Sequence, residues 1–192
     1  MDTPGCTIVE TEAGFDYWSR RPSLSPTIQQ AVREADIVLV PFEGFRDYQG
    51  VLFPVGTEEL VQNLREQLDP NLKFDVAIED TDYKELALHG DLVIIADFLV
   101  KYIVAPVAVG LIVDYLRKRL GSRFRSADVR SSLIVDQSEE SVRRTMRISY
   151  EGPASTFEAV FKDALNSLSV HKRKGTEQKN LDSITDRAPK TK

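Results

Sequence analysis

Cysteine is almost missing from this chain: Cys6 is the only one among 192 residues. A lone thiol excludes an internal disulfide framework and any metal site built on several cysteines, and it fits a reducing compartment. Cys6 has no histidine beside it in sequence and reads as an incidental thiol rather than a nucleophile. Histidine is nearly as scarce. His89 and His171 are the only two, which leaves little for a histidine-rich metal site, and no Ser or Cys near either suggests a triad. Gly50 and Gly56 do not make a Gly-x-x-x-x-Gly-Lys phosphate loop, and no Gly-x-Ser-x-Gly elbow occurs. The opening MDTPGCTIVETEAG lacks a basic segment followed by an apolar one, so no secretory leader is read there and the expected compartment is the cytoplasm. No internal repeat is visible. Neither sign of charge is in large excess. The net charge of -5 favours solubility and gives no global attraction to nucleic acid.

Apolar and charged residues are present in the proportions of a globular protein, 42% and 29%. The length suits one domain that buries roughly two-thirds of the surface its unfolded chain exposes. Thr7-Ile8-Val9 reads as a short strand. The segment from Asp16 to Pro22, with Tyr17 and Trp18, reads as a loop with an aromatic anchor. Ser25 caps a helix that starts at Pro26 and runs to Ala35. Ile37 to Val40 is a strand, and Val51 to Val55 a second, with Pro54 placing it at an edge or strand end. Thr57 reads as the cap of an amphipathic helix with Leu60, Leu64 and Leu68 on one face. Phe74, Val76 and Ile78 alternate with polar residues, as in a half-buried strand, and Tyr83 to Leu88 is a further short strand candidate. Val129–Val135 and Val142–Tyr150, joined by a polar turn, predict an antiparallel hairpin. Glu151-Gly152-Pro153 then leads into a helix to about Leu168, with Phe157, Val160, Phe161, Ala164 and Leu168 as its stripe. From about Val170 the composition is too polar to fold and reads as a flexible tail.

The apolar stretch Leu92 to Leu120 decides how the domain is built. A spanning helix wants roughly twenty apolar residues. Here Lys101 and Asp114 bracket a shorter uncharged run, Asp97 precedes it, and Pro106 interrupts helical hydrogen bonding. A buried pair of helices, or one kinked helix, is the economical reading. The expected fold is therefore a single α+β (mixed α/β) domain over 1–169. It has about five short strands, a buried apolar helical pair, a C-terminal hairpin and helix, and a tail over 170–192.

Two clusters are candidate sites. Asp75, Glu79, Asp82 and Lys84, with Asp80, His89 and Asp91 nearby, offer oxygen ligands of the kind Mg²⁺ takes, though no calcium-loop spacing is present. The bland alternative is a solvated acidic turn. Arg119, Arg123, Arg125, Arg143 and Arg147 head a basic set that also includes Arg117, Lys118, Arg130 and Arg144. Packed together, they would form a patch for an anion, a nucleotide, RNA or an acidic partner. Spread apart, they are a solvated surface. Acids dominate 34–91 and bases 117–147, so charge is segregated along the chain. No catalytic constellation, metal or cofactor is expected. The leading functional expectation is a non-enzymatic binding or accessory subunit of a cytoplasmic assembly with a protein partner. A nuclease-like metal enzyme using 75–85 and a membrane-associated protein using 92–120 are the alternatives.

Overall fold

The β-branched runs of this sequence pair into one large mixed sheet, described in a computed structural model for residues 5–43, 50–87, 91–137 and 144–169. Its strands are β1 (Cys6–Glu10), β2 (Ile37–Val40), β5 (Phe74–Val76), β7 (Val93–Ile94), β8 (Asp97–Lys101), β9 (Asp128–Asp136) and β10 (Thr145–Pro153). The order across the sheet is β1-β10-β9-β8-β2-β5, with β7 also paired to β9. A second, small sheet joins β3 (Phe42–Glu43), β4 (Val51–Pro54) and β6 (Glu85–Leu86). The helices are α1 (Phe15–Trp18), α2 (Pro26–Glu34), α3 (Thr57–Gln67), α4 (Ala105–Leu120) and α5, which spans 157–169.

The mixed α+β class is as expected, but ten strands are described rather than about five. The main difference lies in Leu92–Leu120. Its first half is not a helix. The run from Val93 to Lys101 supplies β7 and β8, which lie parallel to β9. Its second half is α4, and Pro106 sits in the first turn, where its missing N–H costs nothing. The proline marks a helix start rather than a kink. Periodicity alone does not separate a buried strand from a buried helix segment, which is why the sequence read this run as helical.

The two sheet faces are covered unequally. On one face Ile37, Leu39, Phe98, Val100, Leu133, Val135, Met146, Ile148 and Tyr150 pack under α3, α4 and α5. Phe157, Phe161, Ala164, Leu165 and Leu168 form the inner stripe of α5, so that helix meets its expectation. On the opposite face Val38, Val40, Leu99 and Ile134 pack under Trp18 of α1 and under Leu24, Val32 and Ala35 around α2. This second cover reaches only part of the way. Over β1 and β10 the same face presents Thr7, Val9, Arg147 and Ser149, which are half-buried or exposed.

Local signals mostly behave as read. The Ser25 hydroxyl accepts from the Ile28 amide and Pro26 opens α2. The cap of α3 is Gly56 rather than Thr57, because the chain enters with φ +88 and a Cβ there would collide with the Arg119 guanidinium. Thr57 instead donates its hydroxyl to the Pro54 carbonyl at 2.6 Å. The 16–22 segment contains a helical turn with Trp18 buried. The hairpin of β9 and β10 forms, and Glu151 to Pro153 complete β10 before a short 3-10 turn leads to α5. The tail over 170–192 lies outside the described residues.

Candidate docking edge and acidic cleft

The members of the two clusters proposed from sequence sit on several different elements. Asp75 accepts from its neighbour's amide, Val76 N, at 2.7 Å. Glu79 accepts from the Ser25 amide, ahead of α2. Asp80 and Asp82 stand exposed on a short 3-10 turn. Glu85 closes the N-terminus of α3, accepting from the Gly56 and Glu58 amides at 3.0 and 2.9 Å and from the Tyr83 hydroxyl at 2.7 Å. Burial opposes its ionisation, but these donors outweigh it and hold its carboxyl below the usual range. No group of three or more potential metal ligands occurs among the described residues. His89 lies outside them.

The basic set is split by the sheet. Arg147 alternates with Met146 and Ile148, so it points to the face opposite α4. There it donates to Asp97 at 2.6 Å. Arg119, on α4, donates to the Tyr115 hydroxyl at 2.6 Å and the Val55 carbonyl at 3.2 Å. Arg117 contacts Asp114 and Glu158, and Arg130 contacts Glu151. Arg123 and Arg125 are exposed on the 3-10 turn Gly121–Arg125 that follows α4. Arg143 lies outside the described residues. Arg119, Arg123 and Arg125 are close in sequence on one side of the sheet, and Arg147 does not join them.

Asp97 is the most unusual charge in the molecule. A bulge precedes it: Val93 and Ile94 pair with Val129 and Arg130, yet Phe98 pairs with Leu133, so three residues face two. Its carboxylate is almost wholly enclosed, and burial pushes its pKa up against the opposing pull of Arg147 and Ser132. Ser132 and Ser149 lie within hydrogen-bonding distance of each other, 3.2 Å, across the same face. The Asp97 and Arg147 side chains thus meet each other on the open half of the sheet.

What that open half adjoins is a feature the sequence did not disclose. β1 is the last strand of the sheet. The Glu151 amide donates to Gly5 and the Thr11 amide to Thr145, which sets Thr7 and Val9 as the residues bonded to β10. Cys6, Ile8 and Glu10 therefore aim their backbone N–H and C=O groups outward, and no strand among the described residues pairs with them. At the Glu10 end the edge runs into a cleft of about 520 Å³ lined by Glu10, Thr11, Glu12, Gly14, Phe15, Asp16, Asp136 and Thr145. Gly14 approaches Thr145 so closely that a Cβ would lie 2.8 Å from its hydroxyl oxygen. Four carboxylates share this cleft. Arg144 approaches Glu10 at 3.7 Å and Arg20 approaches Asp16 at 4.0 Å. Both are long, exposed contacts, worth about 0–1 kcal/mol. Nothing in the sequence places 10–16 beside 136–145; only the register of β1 on β10 does.

The chain is thus an α+β sheet domain in which β1 ends one side of the large sheet, unpaired on its outer side among the described residues, with an acidic cleft at its end. Compared with protein-family models, curated proteins and solved structures, it matches none. No helix among the described residues is long and apolar enough to cross a membrane.

Proposed function

We propose that this protein is a non-enzymatic binding subunit of a cytoplasmic assembly that takes an extended segment of a partner chain along β1. The observation that carries this reading is the outer side of β1, with which no strand among the described residues pairs. Natural sheet edges are usually blunted by proline, lysine, a bulge or a covering element. β1 is CTIVE, with three consecutive β-branched residues, no proline and no lysine, and Val9 is 52% exposed beside it. An added strand would receive main-chain hydrogen bonds from Cys6, Ile8 and Glu10, while its side chains select through what lies next to the edge. What lies next to it is the acidic cleft, so a positively charged side chain is favoured at that end.

The test uses three labelled decapeptides of alternating Val and Thr with Lys, Gln or Glu at two central positions, measured by fluorescence anisotropy. The Lys peptide should bind tightest and the Glu peptide weakest. Ile8→Pro removes an outward N–H without touching the ladder to β10, and should weaken binding about tenfold while circular dichroism shows the fold intact. Equal affinity for the Lys and Glu peptides, or a folded Ile8→Pro variant that binds like wild type, would overturn the reading.

A further inference from the structure

We infer that the exposed cations Lys118, Arg123 and Arg125, around the end of α4, form a docking surface for a short acidic segment of a partner protein. The surface is distinct from β1, and the inference stands independently of the edge reading. The sequence concentrates charge here. Residues 115–127 hold five cations and no carboxylate, within a chain of net charge -5. Helix α4 stops where Gly121 takes a φ of +52°, and the 3-10 turn Gly121–Arg125 follows. Such a turn rises only about 2 Å per residue, so Arg123 and Arg125 stand close together on it. Lys118 lies in the last turn of α4, just ahead of them. The turn is held in place at several points. The Ser126 and Ala127 amides both donate to the Arg123 carbonyl, the Ala154 amide donates to Ala127, and Phe124 packs against the core. The backbone that carries the two guanidinium groups is therefore fixed before any partner arrives.

Pairing sets these three cations apart from their neighbours. Arg117 is taken up by Asp114 and Glu158, and Arg130 by Glu151. Arg119 spends its donors on the Tyr115 hydroxyl and the Val55 carbonyl. Lys118, Arg123 and Arg125 are exposed, and among the described residues their side chains make no ion pair or hydrogen bond. Neighbouring cations repel one another, and a carboxylate relieves that repulsion while accepting charge-assisted N–H bonds. The sign of the surface thus selects an anionic partner, and its extent selects a short one. Asp114 precedes Lys118 and Asp128 follows Arg125, both exposed, and Glu158 borders Arg117. A nucleic-acid strand running past the patch would meet these carboxylates, and the net charge of the chain opposes it as well. A peptide with about two or three neighbouring Asp or Glu side chains matches the free cations without reaching the bordering acids.

The experiment uses the full chain and a labelled dodecapeptide of Glu and Asp with proline at every third position, which cannot extend a sheet. Fluorescence anisotropy at about 50 mM salt should show binding that falls steeply toward about 500 mM, where screening shortens the reach of the charges. Arg123→Gln/Arg125→Gln should weaken binding at least about fivefold, and Lys118→Gln alone about twofold. Arg65→Gln, which removes an exposed cation on α3, and Ile8→Pro, on β1, should both leave it unchanged. Circular dichroism should report the same fold for every variant. Equal affinity for the double variant and wild type overturns the inference. An equal loss in Arg65→Gln overturns it by reducing the attraction to net charge, and a loss in Ile8→Pro overturns it by placing the peptide on β1. Absence of binding at about millimolar protein also sinks it. Tighter binding of a short oligothymidine, lost in the same double variant, overturns it in favour of a nucleic-acid surface.

Discussion

Asp97 and Arg147 show how a single pair sets the character of one sheet face. The carboxylate is enclosed by β8, β9 and β10, and burial pushes its pKa up against the pull of Arg147 and Ser132. Removing Arg147 while leaving the carboxylate therefore costs far more than removing both. Arg147→Ala is expected to lose about 3–5 kcal/mol in urea unfolding at pH 7, whereas Asp97→Leu with Arg147→Met should be close to neutral. The pH dependence has a definite sign. The unfolded carboxyl ionises near its ordinary value, about 3.9. The folded one keeps its proton to higher pH, so in that window the native state binds the extra proton and stability falls as pH rises. Subtracting the Asp97→Asn curve from the wild-type curve should isolate this decline. A flat difference would show that Asp97 titrates normally. In sequence, Asp97 looked like a charge spoiling an apolar run and Arg147 like one of nine surface cations. Their partnership depends on strands 50 residues apart.

Among the elements, α4 is the best test of what the sequence pattern meant. Val109, Ile112 and Leu116 are fully enclosed under the sheet, as an apolar helix at the centre of a domain requires. The surface around its N-terminal end is also apolar: Ile103, in the 3-10 turn just before the helix, is 84% exposed, and Val107 in its first turn is 45% exposed. Gly110 lies in mid-helix, and a Cβ built there meets nothing within 4 Å. Glycine in a helix interior costs about 1 kcal/mol relative to alanine. Gly110→Ala should therefore raise stability by about 0.5–1 kcal/mol and shift the urea midpoint upward. A loss of stability would mean that something packs against that position in solution. The capped helices were legible in sequence because capping is local: Ser25 and Pro26 announce α2 within a few residues. β7 and β8 were not, since a short apolar run takes its form from the neighbours that pair with it.

For the whole molecule the layout is graded from centre to edge. β2, β8 and β9 lie inside the sheet and are shielded on both faces, with all four residues of β2 buried. Among the described residues β1 is held by β10 alone, and it carries exposed Thr7, Val9 and Glu10. Hydrogen exchange should follow this order, with Leu39, Leu99 and Ile134 amides slowest and the outward-facing Ile8 and Glu10 amides among the first strand amides to exchange. Protection of β1 equal to that of β8 would indicate that the edge is covered in solution.

Composition and local pattern were enough to set the mixed α+β class, the hairpin of β9 and β10, the helices α2, α3 and α5, and, with one cysteine, the exclusion of an internal disulfide. Each of these follows from residues within one turn, one strand or one hairpin of each other. Strand order, the division of Leu92–Leu120 into strand and helix, and the separation of Arg147 from Arg119 were decided only when distant segments paired. The same holds for the bare edge and the acidic cleft. A strand carries no mark of being last in its sheet, and carboxylates at 10–16 and 136 become neighbours only through the register of β1, β10 and β9.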